Sequence, residues 1–214
     1  HETSARVSSS PHFIGLQETR ALVSWLEAEQ PELSQELQRV MPVARFSGVL
    51  QKLVAERIPL RSVRAIAEAL IEHGQHERDI HLLTDLVRIS MKNHLCYQYA
   101  RPDGLHVWLI TPELEEQLRD ALRQTQNDIF FALAQEQVSA ILQEVGKAFP
   151  VDNDPRAVLL VAQDLRSPMR SLIQEEFHYV PVLSFAELQP NLAVNVLGRL
   201  DLDPAVYSLT TWES

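Results

Sequence analysis

Apolar residues recur at three- and four-residue intervals through the first hundred positions, the spacing of one face of an α-helix. Residues 16–29 place Leu16, Val23 and Leu26 on one face, with Leu22 and Trp25 beside it and charges opposite. Pro31 and Pro42 bracket a shorter helix with Leu33, Leu37 and Val40 on one side. Residues 46–56 carry the period through Val49, Leu50, Leu53 and Val54 until Pro59 breaks it. Ser62 is the expected N-cap of the next helix, with a stripe of Val63, Ile66, Ala67 and Leu70 and a stop at Gly74. Residues 78–99 predict one long helix, its inner face traced by Ile80, Leu83, Leu86, Val87, Ser90, Met91, His94 and Leu95.

The pattern changes at Pro102-Asp103-Gly104, a turn signal. The run 105–110, LHVWLI, reads as a strand, and Thr111-Pro112 as an N-cap followed by a first-turn proline. Helices are expected from ELEEQLRDALRQ and from residues 133–148. The six apolar residues 157–162, AVLLVA, predict a strand buried on both faces. A helix over SPMRSLIQEEF and strands in VPVLSF and LAVNVLGRL complete the order β-α-α-β-α-β-β, while 203–214 shows no periodicity. The expected fold is α+β or α/β in several subdomains: helical ones first, then an α/β unit with a small mixed sheet.

The chain has 214 residues, 29 acidic against 19 basic, for a net charge of −10. Such a surface repels phosphate and argues against a general nucleic-acid binder. The single Cys96 excludes an internal disulfide and suits a reducing compartment. No apolar run reaches the roughly 18 residues that cross a bilayer, and no signal peptide is visible. Residues 1–12, polar and Ser-rich, read as a linker, and the chain is expected to be a piece of something longer.

Dinucleotide, nucleotide and nucleophile-elbow motifs are absent. His73, His76 and His81 surround Gly74 without Cys partners, which favours solvated helix-end histidines over a metal site. His94 is expected in the core, and Cys96 as a packed thiol. Glu113, Glu115 and Glu116 complement a helix dipole, and Glu175-Glu176 read as exposed charge. No catalytic residue, metal site or cofactor is expected.

The stretch 55–70, AERIPLRSVRAIAEAL, stands out because Arg57, Arg61 and Arg64 follow one another with nothing acidic between. Four readings stay open. A recognition helix of helix-turn-helix type would need outward Arg, Lys, Asn or Gln beyond Arg64, where Glu68 and Glu72 stand instead. An anion site at the helix start lacks a glycine loop. A basic ridge at a joint suits acidic side chains on a neighbouring unit. A solvated basic corner needs no partner.

FIGLQETRALVSWLE, VLQKLVAERIPLRSVRAIAEALIEHG, DIHLLTDLVRISMKNHLCYQYA, VLLVAQDLRSPMRSLI and VPVLSFAEL, in this order, resemble the C-terminal cytoplasmic domain of the type III secretion export-gate family, also called FHIPEP. The virulence-type, injectisome members are more similar than the flagellar ones. The resemblance runs from about Phe13 to Leu202. It implies a non-enzymatic part of a longer protein in the bacterial inner membrane, lying on the cytoplasmic side. Nine copies would ring the export pore and receive secretion substrates, chaperones and gatekeeper proteins. Other export-apparatus and sorting-platform proteins are further implied partners. On that map 13–46 are a small helical subdomain, 47–58 a return helix, 59–103 the ring-forming helical subdomain, 104–202 the α/β subdomain and 203–214 a tail. Arg57, Arg61 and Arg64, with Glu68, Glu72 and Asp79 as acidic counterparts, are the implied oligomer contacts. Phe13, Ile14 and Leu16 match a stretch where chaperones dock in flagellar relatives, or else belong to the core.

Overall fold

A computed structural model describes residues 15–126, 128–151 and 157–207. The chain divides into two compact units at Ser90/Met91. The division precedes the Pro102-Asp103-Gly104 turn, so the last helix of the expected 59–103 subdomain groups with the α/β part.

The first unit is helical: α1 (Leu16–Glu29), α2 (Pro31–Val40), α3 (Val43–Ala55), α4 (Val63–His73) and α5 (Ile80–Ser90). Pro31 opens α2 at its first turn, where the missing N–H costs no bond. The stripes read from the sequence meet: Leu26, Leu37, Phe46, Val49, Leu50, Leu53, Ile66, Leu70, Leu83 and Val87 are buried. Ser62 does not cap α4 with its side chain; a 3-10 turn, Leu60–Ser62, carries the chain into it. Buried Arg88 faces Glu56 at 3.9 Å, a polar contact inside the helical core.

The expected long helix 78–99 is two helices, broken at Met91. The second, α6 (Lys92–Tyr99), buries Leu95 and Cys96. His94, expected on the inner face, is exposed and not a core residue.

The second unit continues with β1 (Leu105–Ile110), α7 (Pro112–Asp120), β2 (Leu122–Gln124), β3 (Ile129–Phe131), α8 (Gln135–Ala148), β4 (Val158–Val161), α9 (Gln163–Ile173), β5 (Val182–Ser184), β6 (Val194–Leu200) and α10 (Pro204–Tyr207). Four strands form a parallel sheet in the order β5-β4-β1-β6, and β2-β3 is a separate antiparallel hairpin. One sheet face, with Leu159, Val161, Val182 and Leu200, packs on Leu114 and Leu118 of α7, Ile141 and Val145 of α8, and Leu165 and Met169 of α9. The other buries Leu105, Val107, Val158, Leu160 and Leu183 against Tyr99, Leu188 and Leu192. The Thr111 hydroxyl accepts from the Leu114 N–H, capping α7 as expected. Gly104 enters β1 at φ 118°, with the Ala193 carbonyl 2.3 Å from where a Cβ would stand.

Two elements depart from the expected pattern. The α7 helix ends at Asp120, and its expected continuation is the first strand of the hairpin. The α9 helix starts one turn before Ser167, leaving Pro168 inside it.

Arg119 on α7 binds Asp164 on α9 through Nε (2.9 Å) and Nη2 (3.0 Å). That hydrogen-bonded guanidinium holds the Asp164 carboxyl below the usual carboxylate range. The folded pKa is depressed, so the contribution is full above the unfolded carboxylate's range. It is lost as pH falls below about 4. Both side chains are nearly half exposed, which limits the pair to about 1 kcal/mol or less. Arg119→Ala is expected to lower the melting temperature by a few degrees at pH 7 and not at pH 2. Equal losses at both values would remove the ion pair as the cause.

Candidate functional site: a charged corner and stripe

Helix α3 ends in a tight reversal. The Arg57 N–H donates to the Val54 carbonyl (2.9 Å) and the Ile58 N–H to the Leu53 carbonyl (3.0 Å). This is the Schellman arrangement, closed by the buried pair Leu53 and Ile58. It requires a left-handed residue between them, and Arg57 takes it at φ 65°. Glycine is the usual occupant; a side chain there costs about 1 kcal/mol.

Pro59 and the 3-10 turn then aim the chain into α4, where Val63 and Ile66 anchor the apolar side. The opposite side carries Arg61, Arg64, Glu68 and Glu72, all exposed, at spacings of three and four. This is one charged stripe, basic at the helix start and acidic at its end. The order opposes the helix dipole, which favours acids at the N-terminus and bases at the C-terminus by about 0.3–1 kcal/mol each.

Arg64 donates to Glu68 at 3.3 Å, and both are more than half exposed. The side chains of Arg57 and Arg61 have no hydrogen-bond or ion-pair partner among the described residues. Glu72 is exposed, 3.9 Å from the ring of His73. Asp79 is engaged elsewhere: its carboxylate accepts from the N–H groups of His81 (2.8 Å) and Leu82 (3.2 Å), capping α5. The fold therefore brings Arg61, Arg64, Glu68 and Glu72 onto one face, places Arg57 at the preceding turn, and gives Asp79 a local capping task.

Phe13 and Ile14 lie outside the described residues. Leu16, at the start of α1, is 47% exposed, and Trp25 on the same helix 50%. Neither sits in the core. The Trp25 exposure was not anticipated, since its spacing lies beside the apolar stripe.

Among the described residues, no group of three or more His, Cys, Asp or Glu is arranged to hold a metal ion. No helix among them is long and apolar enough to cross a membrane. Buried Cys96 donates from Sγ to the Glu187 carbonyl and accepts from the Gln189 N–H, both at 3.3 Å. Burial pushes its thiol pKa up, away from nucleophilic character.

Residues 3–193 match the FHIPEP family. The harpin secretion protein HrpI of Erwinia amylovora is 63% identical over 91% of this chain. The chain spans only 27% of that relative's length. Among solved structures, nonameric EPEC SctV-C superposes with a TM-score of 0.81 at 34% identity, covering 89% of this chain and 58% of that one. Chlamydia pneumoniae CdsV, solved in complex with CdsO, gives 0.82 at 34% identity, covering 90% and 58%. The chain belongs to the FHIPEP family, and its structural neighbours are cytoplasmic domains of type III secretion components of the virulence type.

Proposed function

We propose that this chain is part of the cytoplasmic portion of a type III secretion export gate and works by docking proteins, without catalysis. In the complete protein, nine copies ring the cytoplasmic side of the bacterial inner membrane. The ring receives secretion substrates, chaperones and gatekeeper proteins, and meets other proteins of the apparatus. Family membership and the nonameric assembly of EPEC SctV-C support the ring.

The observation that carries the reading is the charged stripe of α4. Its polarity works against its own helix, and its arginine turn uses a residue where glycine would fit better. Both features cost stability in the isolated chain, so their use lies outside it. A stripe basic at one end and acidic at the other suits head-to-tail contact between identical copies, the arrangement that closes into rings. The acidic half also opposes a helix-turn-helix reading, because Glu68 and Glu72 would face phosphate.

Each exposed pair contributes about 0–1 kcal/mol, so the effect depends on repetition around the ring. Arg57→Glu with Arg61→Glu, introduced into the complete cytoplasmic domain, is expected to leave a folded monomer and abolish nonamers in sedimentation. Arg57→Gly is the sharper variant. It is expected to raise stability by about 1 kcal/mol while weakening the ring. Rings of undiminished yield in both variants would sink the assignment of this stripe.

A further inference from the structure

We infer that the open edge of β6 accepts an extended, uncharged aliphatic stretch of polypeptide as an added strand. The two edges of the sheet are finished differently. At the β5 edge, α9 supplies buried guanidinium groups to main-chain carbonyls. Arg170 donates to Val180 (2.9 Å) and His178 (3.2 Å), and Arg166 to Val182 (3.5 Å). Every residue of β5 is buried.

Among the described residues, the β6 edge has neither cover. It pairs with β1 alone among the described strands, with Leu197 left without a register partner at the bulge. The Ala193 carbonyl accepts from the Leu105 N–H, so it points toward β1. Backbone alternation then turns the amide groups of Val194 and Val196 outward. Val194 is 38% exposed, and Val196 and Leu197 are each 49% exposed. By register, Val194 and Val196 lie beside buried Leu105 and Val107 on the same face. Open strand edges are usually blunted by lysine, proline or inward charge. Residues 194–198, Val-Asn-Val-Leu-Gly, contain none of these. A register shift opposite Val107/Trp108 is the edge's one irregularity, and it leaves 194–196 regular.

The size of the edge selects the occupant. Seven residues extend about 23 Å. One strand of that length offers about 200 Å² per side, well short of the roughly 800 Å² per partner in a stable association. A second copy is therefore disfavoured, and a transient linear segment fits. Main-chain bonding is tolerant of sequence, with selectivity limited to the aliphatic side chains that meet Val194 and Val196. The inference rests on the export-gate reading for its biological occupant: unfolded, β-prone stretches of secretion substrates.

The test uses the 214-residue chain and a dye-labelled Thr-Val-Thr-Val-Thr-Val-Thr peptide, read by fluorescence anisotropy. Binding is expected below about 1 mM. Methylating alternate amides of the peptide, or Val196→Lys in the chain, is expected to weaken it about tenfold or more. Phe185→Lys, beyond the β5 edge, is expected to leave it unchanged. Val196→Pro removes an outward donor without touching a bond to β1, and its melting curve separates loss of binding from loss of fold. Equal binding of methylated and unmethylated peptide, insensitivity to Val196→Lys, or no binding at about 1 mM would each overturn the inference. So would a dimer abolished by Val196→Lys, which would make the occupant a second copy. Ring formation is not read in this assay, so failure here leaves the nonamer reading to its own test.

Discussion

Leu160→Asp is expected to unfold residues 91–214 and leave the helical unit intact. Leu160 is 1% exposed, at the centre of a strand whose four residues are all buried. Its neighbours on that face are Leu105, Val107, Val158 and Leu183, none of which can pair with a carboxylate. The desolvation penalty is several kcal/mol, a large share of a domain's 5–15 kcal/mol. The helical unit has its own core around Leu50, Leu53, Ile66 and Leu70, so it is expected to stay folded when β4 is disrupted. Limited proteolysis of the variant is expected to yield a resistant fragment ending near Ser90, where the compact units divide. A fragment ending near Gly104 would move α6 to the helical unit. Digestion of the whole chain at a single rate would show one cooperative core instead.

The elements read most easily were those whose pattern is local. The α4 stripe, the Thr111 cap and the apolar run of β4 each follow from spacing or from one residue type. The β2-β3 hairpin did not, because LRQ is a weak strand sequence that becomes one only by pairing with IFF across a turn. The break at Met91 was hidden for a related reason: Leu83, Val87, Met91 and Leu95 keep helical spacing across it, so periodicity registers no interruption. Proline gave opposite answers at two sites. Pro31 starts a helix, whereas Pro168 sits within α9, where Leu165 and Met169 hold the helix to the sheet on either side of it.

The charged corner was partly legible. Exposure of Arg61, Arg64, Glu68 and Glu72 follows from the helical period once Val63 and Ile66 are placed inside. The left-handed turn at Arg57 does not follow, since the usual glycine signal is missing. The resemblance groups Asp79 with Glu68 and Glu72 as acidic counterparts of the arginines, while the structure shows it capping α5. The arginines of α9 were wholly obscured. In DLRSPMRSLI they look like solvated charge, yet both are buried because they reach carbonyls around β5, a contact no local pattern encodes.

One of those arginines belongs to a buried charge pair of the second unit. Arg166 is 1% exposed and Glu187 fully buried, with Nε and Oε2 3.9 Å apart. The other Glu187 oxygen accepts from the Ser184 N–H at 2.9 Å, locking the turn after β5. Removing either partner takes an opposite charge away from the other in a site that water does not reach. Glu187→Leu and Arg166→Met are each expected to cost about 3–5 kcal/mol. If the charges act as a pair, the double variant is not the sum. It loses the main-chain bonds to Val182 and from Ser184, at about 1 kcal/mol each, but removes both charges together. Its expected cost is about 2 kcal/mol, against about 6–10 for independent effects. Denaturant unfolding of the four proteins reads this directly. The coupling is also expected to persist at high salt, because a buried pair is poorly screened, whereas the exposed Arg119–Asp164 contribution fades. Additive losses would mean that Arg166 and Glu187 act separately, each through its own main-chain contact, and that the 3.9 Å approach contributes nothing of its own.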